Sequence, residues 1–295
     1  MKKKTIIQIA ISYAIVAALF YGLSAPLSKL LLNKISPYTL SSMLYFGAGL
    51  GMFILVLGRK TKPKEIIRSF HSKDIQYIIL MILLDILAPI LLMFGLLTTN
   101  ASTAALLNNF EIIFTGLIAM IFFKEHIGKK MWIAISIIIA SGFLLSFEDF
   151  SGFHVSLGAL LVLAASFSWG LENNCTRMLS HHDPLYVVIL KGLGSGLGAL
   201  LIAIALNEFG GNWIYLVLAL LLGFVSYGMS LFFYISAQRH LGALRTSAYY
   251  ATAPFAGALF SFLLLRESLS WQFVIAFLLM ALGTYFAIKE NQTKS

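Results

Sequence analysis

The sequence predicts an all-α integral membrane protein with ten transmembrane helices arranged as two inverted five-helix repeats. Three observations carry that expectation: a charge-poor apolar composition, ten hydrophobic stretches of bilayer length, and residues that recur from one half of the chain to the other. Of 295 residues, 59% are hydrophobic and 11% charged, whereas soluble domains carry about 25% charged residues. A chain this apolar hides its surface only with the help of lipid.

Each bilayer crossing needs about 20 apolar residues. The first half supplies five such stretches, near 8–32, 37–57, 75–97, 102–123 and 131–147. The second half supplies five more, near 156–179, 185–206, 213–236, 242–265 and 271–288. The connections are too short for a soluble domain. The first stretch follows Lys2, Lys3 and Lys4 as a signal peptide would, but it runs on to Pro26 and Lys29 without a clear small-residue cleavage site. It is therefore read as a retained span.

The halves share punctuation. Tyr21-Gly22 matches Trp169-Gly170, Lys29 matches Arg177, Ser36-Pro37 matches Asp183-Pro184, and Phe123-Lys124-Glu125 matches Leu265-Arg266-Glu267. The spacing drifts only from 148 to 142 residues along the chain. Two repeats follow, 1–147 and 148–295. Because each holds an odd number of spans, the second enters the membrane from the opposite side, the inverted architecture that secondary transporters use for alternating access.

The net charge of +9 does not point to nucleic acid, because its distribution is one-sided. With a cytoplasmic N-terminus, the inner side carries Lys2 to Lys4, the cluster Arg59, Lys60, Lys62, Lys64, Arg68 and Lys73, then Lys124, Lys129, Lys130, Arg177, Arg239, Arg245, Lys289 and Lys294. The outer side keeps Lys29, Lys34 and Arg266, and Lys191 lies inside a span. By the positive-inside rule both termini are cytoplasmic, in a multi-pass protein of the cell membrane.

Ionisable residues within spans are costly in hydrocarbon and face a bundle interior or a water-filled cavity. Asp85 and Glu111 each fall near the middle of a span, so two carboxylates share one depth and form a candidate site for a proton or a cation. Asn108, three residues before Glu111, is placed on the same helical face, and Asn109 at a helix contact. Glu172 in span six and Lys191 in span seven reach similar depths on consecutive helices. They form a candidate ion pair that acts either as a gate or as a brace. Asn173 and Asn174 follow the acid, and Arg245 sits just inside span nine, to snorkel or to meet an anionic group. Tyr21, Trp169, Tyr227, Tyr249 and Tyr250 are candidate walls of a substrate cavity. Small residues at Gly47, Gly49, Gly51, Gly192, Gly194, Gly196, Gly198 and Gly257 read as helix contacts. Pro26, Pro89 and Pro254 read as mid-span kinks.

Other chemistry is weak. The single Cys175 leaves no intramolecular disulfide, and His181-His182-Asp183 reads as a solvated turn before Pro184 rather than a metal site. No His-Glu-x-x-His helix, Gly-x-Ser-x-Gly elbow or Walker loop occurs, so the chain is read as a non-enzyme without cofactor or metal.

LNNFEIIFTGLIAMIFFKE at 107–125, FSWGLENNCTR at 167–177 and HLGALRTSAYYATAPFAGALFSFLLLRE at 240–267 resemble the EamA-type family of the drug/metabolite transporter superfamily. The resemblance covers nearly the whole chain. It implies ten helices in two inverted repeats, cytoplasmic termini and a central cavity, and it carries Glu111, Glu172, Asn173, Asn174 and Lys191 over by matching position. Where the second repeat has Pro254, the first has Ile112, which puts a proline hinge in span four in doubt. The expected function is secondary transport of small polar or amphipathic metabolites, amino acids or amines among them. Export is the expected direction, by alternating access, with proton exchange through Asp85 and Glu111. The alternatives are a facilitative carrier without ion coupling and a membrane receptor or scaffold that transports nothing. The oligomeric state is left open.

Overall fold

A computed structural model describes residues 2–58, 71–124, 127–149, 154–179, 181–241, 246 and 249–293. Span one is Lys2–Gly22 followed by Ser24–Leu31, span two Pro37–Gly58, span three Ile75–Thr98, span four Ala101–Leu107 followed by Phe110–Phe123, and span five Lys129–Ser146. A short antiparallel ribbon, Phe147–Asp149 with His154–Val155, links the repeats. Span six is Leu157–Met178, span seven Pro184–Ala205, span nine Ala253–Leu265 and span ten Trp271–Thr293. Span eight runs Trp213–Gly223, Phe224–Met229 and Ser230–Leu241, its middle piece wound as a π-helix.

Among the described residues, eight helices are long and apolar enough to cross a bilayer. The other two depart for visible reasons. Leu157–Met178 has 22 residues but carries Glu172, Asn173 and Asn174. Ala253–Leu265 has 13 residues, and most of its expected start lies outside the described residues.

The duplication is written into the packing. Span one packs on spans eight and nine, and span six on spans three and four. Exchanging the repeats converts one pattern into the other. Span two meets seven, four meets nine and five meets ten, pairs that map onto themselves. The match reaches single residues. A Cβ on Gly22 would lie 3.0 Å from Ala256 Cβ and 2.9 Å from Gly257 N, and one on Gly170 2.6 Å from Phe114 Cβ and 3.0 Å from Thr115 N. Phe114 and Thr115 are the counterparts of Ala256 and Gly257 at the 142-residue spacing. Lys124 and Arg266, also counterparts, both end their helices in the left-handed conformation, at φ 55° and 53°.

The outside of the bundle is apolar: Ile54, Leu83, Ile121, Phe122 and Leu263 are exposed, which only lipid makes tolerable. Trp213 and Trp271 open spans eight and ten on the same face of the bundle and are 70% and 84% exposed, in the manner of an interfacial aromatic belt. Ten crossings bring the termini together on the other face. These are called the far face and the terminal face below.

The Pro254 kink and the span-four hinge need correction. Pro254 does not kink a continuous helix; it opens Ala253–Leu265, where a missing N–H costs nothing. Pro26 sits in the first turn of Ser24–Leu31, just after the one-residue break at Leu23, so the interruption of span one expected of it is present, and Pro89 lies inside an unbroken helix. Span four breaks without any proline. At Asn108-Asn109 the chain switches to i to i+3 bonds, with Glu111 N–H donating to Asn108 O at 3.1 Å and Ile112 N–H to Asn109 O at 3.2 Å. Because the helix is interrupted there, Asn108 and Glu111 do not share a face of one continuous helix. Spans four and nine are thus discontinuous at matched positions, the arrangement that places irregular backbone beside midplane sites in transporters.

Candidate functional site

Span six presents two faces to the interior. Trp169, Glu172 and Thr176 follow the i, i+3, i+7 spacing of one helical stripe, while Asn173 is turned one position toward span four. Span seven brings Lys191 from the other side. Its Nζ lies 3.0 Å from Glu172 Oε2 and 3.1 Å from Asp85 Oδ2 of span three. One ammonium thus ties three helices, with Asp85 and Glu172 almost wholly buried. Asp85 Oδ2 meets the ammonium by charge and distance, without an aligned hydrogen bond. The pair expected between Glu172 and Lys191 is present, and Asp85, assigned from sequence to Glu111, is its third member.

Two residues that sequence reasoning missed complete this cluster. Tyr45 OH donates to Asp85 Oδ1 at 2.9 Å and accepts from Trp169 Nε1 at 3.2 Å. Thr176 Oγ1 donates to Glu172 Oε1. Thr176 had a signal, since it follows Glu172 by one helical turn just as Thr115 follows Glu111. Tyr45 had none, being one more aromatic in an apolar helix.

Glu111 stands in a second group. Asn173 Nδ2 donates to Glu111 Oε1 at 2.7 Å and lies 3.2 Å from Thr115 Oγ1. Glu111 therefore has a neutral amide as its partner and no ion pair among the described residues. Asn174 ties backbone instead, donating to Gly170 O at 2.8 Å and Thr115 O at 3.1 Å. Asn109 Nδ2 reaches Thr284 Oγ1 at 2.8 Å, the helix contact expected of it.

A run of tyrosines connects these acids to the break in span nine. Tyr45 and Tyr227 rings lie 5.6 Å apart, Tyr227 and Tyr21 5.9 Å, and Tyr21 and Tyr250 5.8 Å. Ser24 Oγ donates to Tyr227 OH at 3.1 Å, inside the π-helical segment. Such bulges recur at functional sites. A cavity of about 10 Å³ lies between Tyr21, Ser24, Asn108 and Pro254, room for about one water molecule. Asn108 lines that cavity, its Oδ1 3.5 Å from Ser166 Oγ. Tyr249 serves through its carbonyl, which accepts from Thr252 Oγ1 at 2.6 Å. Arg245 lies outside the described residues.

The far face is fastened between repeats. The Glu267 carboxylate accepts from the backbone N–H groups of Ala101 at 2.7 Å and Ser102 at 3.0 Å, while Lys29 Nζ donates to Thr99 O. At the terminal face the Arg177 guanidinium, the counterpart of Lys29, lies 5.0 Å from the Phe123 ring centre.

Chemically, buried carboxylates sharing one ammonium form a site that accepts positive charge, and its position at the junction of two mutually inverted repeats is where transporters hold their cargo. Comparisons with known proteins agree with that reading of the fold. The EamA-like transporter family matches residues 8–147 and again 156–289. A protein described as an uncharacterized transporter of Methanothermobacter thermautotrophicus is 30% identical over 288 residues, covering 92% of this chain and 83% of that protein. The uncharacterized transporter YdfC of Bacillus subtilis is 28% identical over 176 residues, 57% of this chain and 53% of that protein. A solved crystal structure of a protein superposes with a TM-score of 0.68 at 17% identity, over 97% of this chain and 99% of the other, a likeness of fold. The two family matches span both repeats, and the chain belongs to the EamA-like transporter family, as a multi-pass membrane transporter rather than an enzyme.

Proposed function

We propose that this transporter moves a small amine or amino acid across the cell membrane by alternating access, in exchange for protons. One observation carries the reading: two buried carboxylates, Asp85 and Glu172, share the single ammonium of Lys191, while Glu111, bonded to Asn173 next to Glu172 in span six, has no ion pair among the described residues. Uncompensated charge in a membrane interior costs several kcal/mol. A proton and the ammonium group of a substrate are the compensating charges that suit the site. Glu111, held by an amide alone, is the proton carrier in this scheme. Asp85 and Glu172 hold the cationic end of the cargo, and Lys191, released from one of them, meets a carboxylate end. The rings of Tyr21, Tyr45, Trp169, Tyr227 and Tyr250 offer π faces to a cation.

Rocking of the repeats would expose the cluster to each side in turn. The excess of Lys and Arg at the terminal face supports a cytoplasmic assignment for both termini, and an inward proton gradient then drives export. A thermal-shift screen of the purified protein against amines, amino acids and organic anions tests the cargo class. Amines or amino acids are expected to raise the melting temperature, since a ligand that binds only the folded state stabilises it. Glu172→Gln is expected to remove that rise. A response confined to organic anions would overturn the assignment. If a ligand binds but its flux ignores a pH gradient, the facilitative reading takes its place; if reconstituted vesicles move nothing, the receptor or scaffold reading does.

A further inference from the structure

At the terminal face, the turn Ser72–Asp74 that leads into span three meets the connection between spans six and seven. Asp74 is central there. Its Oδ2 lies 2.9 Å from His182 Nε2 and 3.8 Å from His71 Nδ1, and its Oδ1 lies 3.6 Å from His181 Nε2. Asp74 and His182 are buried, their side chains 8% and 4% exposed. The backbone N–H of His71 also donates to Asp74 Oδ2 at 2.8 Å, which fixes the carboxylate toward the rings. The His71 and His182 rings are near parallel with centres 6.3 Å apart, and those of His181 and His182 are 3.9 Å apart. The solvated turn expected of His181-His182-Asp183 therefore needs correction: His182 is drawn in by an aspartate 108 residues away in sequence. Asp183 keeps a capping role, accepting from Leu185 N–H at 2.9 Å.

The arrangement is more than a buried Asp-His hydrogen bond needs. Only His182 is close enough to Asp74 for a good hydrogen bond; the other two imidazoles approach at distances too long for one yet point nitrogen at the same carboxylate. Candidate donor atoms of His71, Asp74 and His182 all lie within 4.8 Å of one another. In a tetrahedral zinc site with bonds of about 2.0–2.2 Å, donors stand roughly 3.3–3.6 Å apart. Small side-chain adjustments bring these groups to that spacing. Two imidazoles and one carboxylate suit zinc and its transition-metal neighbours, while calcium and magnesium require a shell of oxygens that one aspartate does not provide. The exposed edges of His71 and His181, with side chains 77% and 57% accessible, leave a path from water. A neighbouring cavity of about 500 Å³, lined by Asp74, Tyr77, Met178 and His181 among others, leaves space for a fourth ligand, either His181 or water.

We propose that His71, Asp74 and His182, with His181 beside them, form a divalent transition-metal site, zinc foremost, that staples the two repeats together at the terminal face. His71 and Asp74 belong to the first repeat and His181 and His182 to the second, so a bound ion holds the repeats in the arrangement seen here. Zinc therefore opposes any rocking that separates span three from the span six to seven connection. This inference does not depend on the identity of the cargo.

The test uses the full-length protein in detergent with any polyhistidine tag removed, stripped with a chelator and then dialysed against Zn²⁺ or Co²⁺. One metal ion per chain is expected, with the visible absorption of tetrahedral Co²⁺ and a zinc-dependent rise in melting temperature. His71→Ala alters an exposed side chain and is expected to fold normally while weakening zinc binding by roughly tenfold or more. His182→Gln, where it folds, is expected to abolish the Co²⁺ spectrum. The absence of stoichiometric metal would overturn the proposal, as would zinc binding that His71→Ala and His181→Ala both leave unchanged.

Discussion

Lys191→Met is expected to abolish transport and to cost about 3–5 kcal/mol of stability, the usual consequence of removing one partner from a buried ion pair. The side chain is nearly isosteric with the lysine stem, so packing changes little and charge carries the effect. Without the ammonium, Asp85 keeps the Tyr45 hydroxyl, itself bonded to Trp169, and Glu172 keeps the Thr176 hydroxyl, with no cation beside either acid among the described residues. Adding Asp85→Asn and Glu172→Gln removes the repulsion, and the triple variant is expected to regain most of the lost melting temperature while remaining inactive. Cycles built from these variants separate two roles for the cluster. Coupling in stability alone would make Lys191 a brace between spans three, six and seven. Coupling in both stability and transport rate is the outcome expected of a site that opens during the cycle.

Glu267→Ala is expected to open the far face. The carboxylate holds two backbone N–H groups at the start of span four, and hydrogen bonds to charged groups are worth about 1.5–3 kcal/mol each. In the structure Ala101 and Ser102 are buried, at 0% and 2% exposure. Loss of even about 1.4 kcal/mol from the closed arrangement raises the open population tenfold when closed dominates. Cys175 is the only cysteine, so a Cys175→Ala background carrying Ser102→Cys provides a clean reporter. Maleimide labelling from the far side is expected to accelerate roughly tenfold or more when Glu267 is also replaced by Ala. The Ser102 backbone N–H that Glu267 uses is retained in this reporter. Unchanged labelling would show that the Glu267 contact does not hold the face shut.

The spans and the duplication were legible because both rest on composition and spacing, which lipid and helical geometry constrain directly. Glu172 and Lys191 were legible for the same reason: charges on consecutive spans at similar depth have few ways to be satisfied. Asp85 was recognised as buried, but its partner was not, because span three reaches span seven through tertiary packing that no local pattern reports. Tyr45 was invisible among the aromatic residues of an apolar bundle. The break at Asn108-Asn109 was missed because a proline was expected to mark it, whereas its counterpart in span nine shows that the position, rather than the residue type, is what the repeats share. Asp74 and His182 lie in different repeats, and only the fold brings them into contact.

Accumulation of the ligand identified by thermal shift into proteoliposomes, under imposed pH gradients of both signs, tests the central claim most directly. Net movement is expected to follow the gradient, with substrate leaving the side toward which protons are drawn. Its direction should reverse with the sign of the gradient, and Glu111→Gln should still exchange substrate but no longer respond to pH. Flux indifferent to either gradient would contradict the account, as would full gradient-driven transport by Glu111→Gln.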